Sequence, residues 1–178
     1  MTKDLFFDTD CLSSFLWIGD TSIIEALYGG RIVLPEPVYK EIDNPSVPHL
    51  KEKADKLISS NKASVQNIEM GTKEYDLYKE LSEYQPGKKT IGKGEAGGIA
   101  LAKTYNGVLV SNNLRDVMSY VEEYGLKHLD TGHILMEALE KGIITENDGN
   151  DIWQKMLKKR RRLPTQTFSE YKNKYEER

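Results

Sequence analysis

Four acidic residues, Asp8, Glu41, Glu95 and Asp116, are placed where together they could hold a hard metal cation. Asp8 directly follows the apolar run Leu5-Phe6-Phe7, and Asp116 follows Val108-Leu109-Val110 with Ser111 and Asn113 between. Both runs read as buried strands, and in open parallel sheets ligands bind beyond the carboxyl ends of the strands. Glu41 belongs to the helix after a further strand, Ile32-Val33-Leu34. Glu95 opens the helix before Val108, in a glycine-rich stretch where backbone can approach closely. Mg²⁺ takes oxygen ligands, usually one or two direct carboxylates with waters. Carboxylates brought together without a cation raise one another's pKa. Each acid also has a plainer reading. Asp8 could cap a helix, Asp116 could complement a helix dipole, and Glu41 and Glu95 could face solvent. The joint pattern points to a metal.

The elements that must position these acids alternate. Leu5–Phe7, Ile32–Leu34, Ala63–Ile68, Val108–Val110 and Lys127–Leu129 read as strands. Between them, residues 11–18, 21–28, 37–42, 50–60, 72–84, 96–104, 114–124 and 130–141 carry helical spacing or helix caps. Strands alternating with helices predict a three-layer α/β/α fold around a parallel sheet of about four to five strands. The 178 residues suffice for one such domain, expected over 1–142, with a C-terminal helical appendage and polar tail over 143–178. A net charge of −3 gives no global attraction to nucleic acid, so such binding would need a local patch. The single cysteine, Cys11, excludes an intrachain disulfide and reads as a core residue. The N-terminal segment, broken by Asp4, Asp8 and Asp10, reads as neither signal peptide nor membrane span, so the expected place is the cytoplasm. His49, His128 and His133 lack metal-ligand spacing and are expected to be structural or exposed.

Four segments resemble the motifs of the PIN-domain ribonucleases in order. Phe7-Asp8-Thr9-Asp10-Cys11-Leu12 is similar to the first and Leu34-Pro35-Glu36-Pro37-Val38-Tyr39-Lys40-Glu41-Ile42 to the second. Gly92 to Ala102, with Glu95, resembles the third, and Val110-Ser111-Asn112-Asn113-Leu114-Arg115-Asp116-Val117 the fourth. The resemblance spans residues 4 to about 142 and is strongest to stand-alone prokaryotic PIN proteins, including toxins of VapBC-type toxin–antitoxin pairs. It implies hydrolysis of RNA with Mg²⁺ or Mn²⁺ on Asp8, Glu95 and Asp116, and with Glu41 ligating directly or through water. Asp10 would hold a water on the ion, and Ser111 and Asn113 would hydrogen-bond a carboxylate or the scissile phosphate. It also implies an RNA substrate, a possible cognate antitoxin and a homodimer. Many family members carry an aspartate just after the fourth strand, where this chain has Asn112 and Asn113. That departure leaves room for a non-catalytic PIN-like module that binds RNA or protein.

Positive charge for RNA contact is expected from Lys88, Lys89 and Lys93, just before Glu95, and from the run Lys158-Lys159-Arg160-Arg161-Arg162. The plainer reading of that run is a solvated helix end. It ends an amphipathic helix over 146–159 whose Ile152, Trp153, Met156 and Leu157 share one face. An isolated helix of this length is marginal in water, so the face should dock on the core and carry the basic run towards the acid cleft. Phe15, Leu16, Trp17 and Ile18 exceed the needs of one helical face, which favours a dimer interface unless Trp17 packs under the helices that follow. A rival from another class is a haloacid-dehalogenase-like phosphatase using Asp8, Asp10 and Ser111. It would need Asp148 and Asp151 as its late acidic pair.

Overall fold

A computed structural model describes residues 2–177. Among the described residues are five strands: β1 (Leu5–Phe7), β2 (Ile32–Pro35), β3 (Ala63–Gln66), β4 (Val108–Val110) and β5 (Lys127–Leu129). The first half of the chain contributes helices α1 (Thr9–Ile18), α2 (Ser22–Tyr28), α3 (Glu36–Ile42), α4 (Pro48–Ser59) and α5 (Lys73–Ser82). The second half contributes α6 (Lys93–Thr104), α7 (Leu114–Tyr124), α8 (Thr131–Glu140), α9 (Glu146–Lys158) and α10 (Phe168–Glu176). All strand pairs are parallel, in the order β3-β2-β1-β4-β5. The chain builds outwards from β1 to β3, then returns to the other side of β1 with β4. The order therefore reverses between β1 and β4, which is where open α/β sheets form their ligand crevice.

Strand pleating divides the core into two layers. Phe6, Val33 and Leu109 face one layer with Ile99 and Leu101 of α6 and Val117 of α7. Leu5, Phe7, Ile32, Leu34 and Val110 face the other, against α1, α2, α4, α8 and the C-terminal helices. β1 is buried at every position, as expected of a central strand covered on both faces. The edge strands β3 and β5 carry Ser64, Gln66, Lys127 and His128.

The C-terminal segment packs into the same core. Trp153, Met156 and Phe168 are fully buried, and the Trp153 indole N–H donates to the Thr165 carbonyl at 2.9 Å. α10 comes so close that a Cβ on Gly149 would stand 2.3 Å from the Phe168 ring, and one on Gly132 2.2 Å from Tyr171. α10 is the element that sequence periodicity does not reveal. Its Lys- and Glu-rich stretch has only three aromatics and gains its stability by docking, although Thr167, which accepts the Glu170 N–H, marks its start. The surplus apolar residues of α1 are taken up within the chain. Phe15 and Leu16 are fully buried, and Trp17 packs edge-on to His49, ring centroids 5.0 Å apart. Among the described residues no helix is long and apolar enough to cross a membrane.

Candidate active site

Phe7 pairs with Val110 in the register of β1 and β4, so Asp8 and Ser111 leave the sheet side by side at the crevice. The Asp8 N–H donates to the Val110 carbonyl at 2.8 Å. Its carboxylate caps α1 by accepting the Cys11 N–H at 2.9 Å, and its second oxygen accepts the Ser111 hydroxyl. Ser111 is held in turn, its Oγ accepting the Asn113 N–H at 3.1 Å and its carbonyl the His128 Nε2–H at 2.8 Å. Asp8 is 1 % exposed. Burial, then the charges of Asp10 and Glu95, push its carboxyl up to about 7 against two hydrogen bonds that favour ionisation. Among the described residues no lysine or arginine forms an ion pair with it.

The other three acids surround this point in two groups. Asn113 brings Glu95 and Asp116 together, its Nδ2 donating to both at 3.1 and 2.8 Å. The Asn113 side chain thus bonds carboxylates, as the resemblance implies, and forms no cap hydrogen bond in α7. Lys89 pairs with the outer oxygen of Asp116 and holds that carboxyl below its ordinary value. Glu41 accepts the Gly94 N–H at 3.1 Å and the Thr9 hydroxyl. It thereby caps the start of α6 from α3 and ties both to α1. A Cβ on Gly94 would come within 2.8 Å of Thr9 Oγ1 and 3.1 Å of Glu41, so glycine permits the approach. Among the described residues no three acids, imidazoles or thiols already stand close enough to hold one ion between them. The set still suits a hard divalent cation, because the buried Asp8 carboxylate lies near Glu95 and is offset by hydrogen-bond donors alone among the described residues, while Lys89 offsets Asp116.

A cleft of ≈ 430 Å³ opens beside the acids, lined by Asp10, Ser14, Asn112 and Asn113 together with Arg160, Arg161 and Arg162. Arg161 lies over the Trp17 ring, 5.5 Å from its centroid. Lys158 and Lys159 are exposed and do not line the cleft, and Lys93 is exposed at the first turn of α6. Asp10 faces the arginines from an exposed position. Asp148 is the capping partner of Thr145 in α9, and with Asp151 it borders a hollow beside Asp20 and Ser22, not Asp8. The histidines are structural as expected: His128 fixes Ser111, and His133 completes the capping box of α8 with Asp130. Cys11 is fully buried beside Thr131, and burial pushes its thiol well up.

Three residues take supporting roles beyond those expected of them. Thr9 braces Glu41, Lys89 neutralises Asp116, and Asn112 clips the end of β4 to α8 by bonding both the N–H and the hydroxyl of Thr131 at 2.9 Å. Thr9 and Asn112 adjoin the expected residues in sequence, and that adjacency is the available signal. Nothing local marks Lys89 as the partner of Asp116, which is 27 positions away.

The solved structures include a similar chain, a PilT N-terminus domain protein, SSO1118, from the archaeon Sulfolobus solfataricus P2. The two are 12 % identical with a TM-score of 0.44, over 76 % of this chain and 93 % of that one. No curated protein matches the sequence. The family model DUF3368, PIN domain, matches residues 5–177, the tail helices included. The chain belongs to the PIN-domain family.

Proposed function

We propose that this protein is a divalent-metal-dependent endoribonuclease whose active site is the acid cluster at the β1–β4 crevice. The observation that carries the reading is the buried Asp8 carboxylate, aligned by Cys11 and Ser111 and facing Asp10 and Glu95 without a cationic partner. Asp8 and Glu95 would hold the ion, with Asp116 and Glu41 closing the site from either side. When bound, Mg²⁺ or Mn²⁺ supplies Lewis-acid polarisation of the scissile phosphate and a more acidic water.

The chain's own residues supply the orientation. Ser111 fixes one oxygen of Asp8, so the carboxylate cannot turn away from the crevice. Asn113 holds Glu95 and Asp116 at one spacing without adding charge. Lys89 is the counter-charge of Asp116 before a cation arrives and is free to turn to the RNA afterwards.

The test is cleavage of a labelled single-stranded RNA with Mg²⁺ or Mn²⁺, with EDTA and Asp8→Asn as controls. Cleavage should require the metal and fall at least about 1,000-fold in Asp8→Asn, since several kcal/mol of charge stabilisation are at stake. p-Nitrophenyl phosphate should not turn over. RNA left intact with both ions would sink the reading and favour a non-catalytic PIN-like module.

A further inference from the structure

Helix α9 ends in a Schellman motif, in which the N–H groups of Arg160 and Arg161 return to the carbonyls of Leu157 and Met156 at 2.9 and 3.0 Å. The residue that turns the chain is Arg160, with φ 58°. That position favours glycine, because a left-handed conformation presses a Cβ against the following carbonyl. The other described non-glycine residues with positive φ are Asn61 and Asn106, a type that tolerates it. Arg160 is thus a poorer helix terminator than glycine, and local stability does not account for it.

The turn places three successive guanidinium groups along the ≈ 430 Å³ cleft. Arg161 is anchored, donating to the Lys159 carbonyl at 3.1 Å and lying over Trp17. Among the described residues Arg160 and Arg162 have neither a carboxylate nor a side-chain hydrogen-bond partner. Thr165, just beyond, is tied to Trp153, so the linker is held at both ends. The lining also includes Asn113, which itself touches Glu95 and Asp116. Next to the cleft, Leu114, Leu163 and Pro164 line a hollow of ≈ 290 Å³ that shares Arg162. A phosphate seat with an apolar hollow beside it matches a nucleotide better than an acidic peptide, whose side chains have no flat apolar body.

We propose that the α9–α10 linker is a substrate subsite in which Arg160 and Arg162 bind a backbone phosphate of the RNA strand neighbouring the bond to be cut. The inference rests on the nuclease reading. Guanidinium groups suit this work because their donors match phosphate oxygens in pairs. The contact is sequence-blind and positions the strand across the acids.

Binding of a fluorescein-labelled single-stranded RNA to the full chain, made inert by Asp8→Asn, tests it across a range of salt. Arg160→Gly should leave the Tm unchanged or raise it by about 2–4 °C through relief of the left-handed turn. It should nevertheless weaken RNA binding about ten-fold and lower the slope of log K against log salt by about 0.7. Arg162→Gln should do the same to binding. Lys158→Gln, outside the cleft, should bind as its parent does. Unchanged affinity and slope in both arginine variants, or equal losses in Lys158→Gln, would overturn the subsite while leaving metal-dependent cleavage by the native chain intact. A lower Tm in Arg160→Gly would make Arg160 structural and overturn its role. Displacement of the RNA by an oligo-aspartate peptide at lower concentration than by unlabelled RNA would assign the arginines to a protein partner instead. No binding of RNA to the inert parent would overturn subsite and nuclease reading together.

Discussion

The β1 end of the crevice and the α9–α10 linker hold their charges in opposite ways. At β1 the negative charge is buried and fixed, because Asp8 is held by a backbone amide and a hydroxyl whose own bonds are complete. At the linker the positive charge is largely exposed and only partly fixed, with Arg161 anchored and its two neighbours without an ion-pair partner among the described residues. The cleft of the arginines reaches the crevice at Asn113, yet among the described residues no arginine of the linker forms an ion pair with an acid of the crevice. Among the described residues Asp116 alone of the four acids has its cation, and that is Lys89 from a different loop. Burial without a counter-ion suits a small divalent cation, whereas exposed forked donors suit a phosphate that arrives and leaves. A site that collapsed these charges onto each other would be better neutralised and unable to accept either ligand.

The strongest way to break the comparison is to detach the linker wall. Trp153 is fully buried, and its indole N–H holds the Thr165 carbonyl. Trp153→Ala should cost about 3–5 kcal/mol through the cavity and the lost bond, a fall of roughly 6–20 °C in Tm at this chain length. RNA affinity and its salt dependence should fall in step with the linker, read at a temperature where the variant is still folded. An unchanged Tm would mean that α9 is not part of the core.

The buried wall answers to pH. In the folded protein Asp8 is pushed from 3.8 up to about 7, so between those values the native state keeps a proton that the unfolded chain has released. The group's contribution is therefore complete below about pH 4 and is lost as pH rises through 7. Metal-free protein should be less stable at pH 8 than at pH 5, by at most about 3 kcal/mol from this carboxyl. Mg²⁺ competes with that proton, so its stabilising effect should grow as pH rises. Asp8→Asn should flatten the first trend and weaken the second. Melting curves in EDTA and in Mg²⁺ at the two pH values measure both, and a metal-free Tm that rises with pH would contradict the burial argument.

The two walls also differ in how far the sequence revealed them. Asp8 and Asp116 follow apolar runs that are unmistakable, so the sheet, its layers and the placement of Asp8 at a strand end could be read directly. The tail helix was legible from Ile152, Trp153, Met156 and Leu157 because a 3.6-residue period needs no tertiary context. Helix α10 was not, since Phe168 and Tyr171 acquire meaning only against Gly149 and Gly132. The resemblance pointed Asn113 at a carboxylate, but not at two at once, because the link depends on Glu95 lying 18 residues earlier. The left-handed turn at Arg160 is a backbone fact that no side-chain pattern announces.

Asn113 offers the finest adjustment of the buried wall. Its amide donates to Glu95 and to Asp116 and so links two carboxylates without contributing a third charge. Asn113→Asp replaces that donor with an acceptor beside both. Repulsion should lower the metal-free Tm by a few degrees at pH 8, on the order of 1–2 kcal/mol for a lost charged hydrogen bond plus a like charge. The added carboxylate should also tighten cation binding, so the Tm gain on adding Mg²⁺ should exceed that of the native chain. Asn113→Ala separates the two effects: it removes the link without adding charge. It should lower cation affinity or cleavage about 10–100-fold, as loss of a group that orients metal ligands does. A larger Mg²⁺ response in Asn113→Asp together with a smaller one in Asn113→Ala would place the ion between Glu95 and Asp116. Identical responses in both variants would move it away from that pair, towards Asp8 and Glu41.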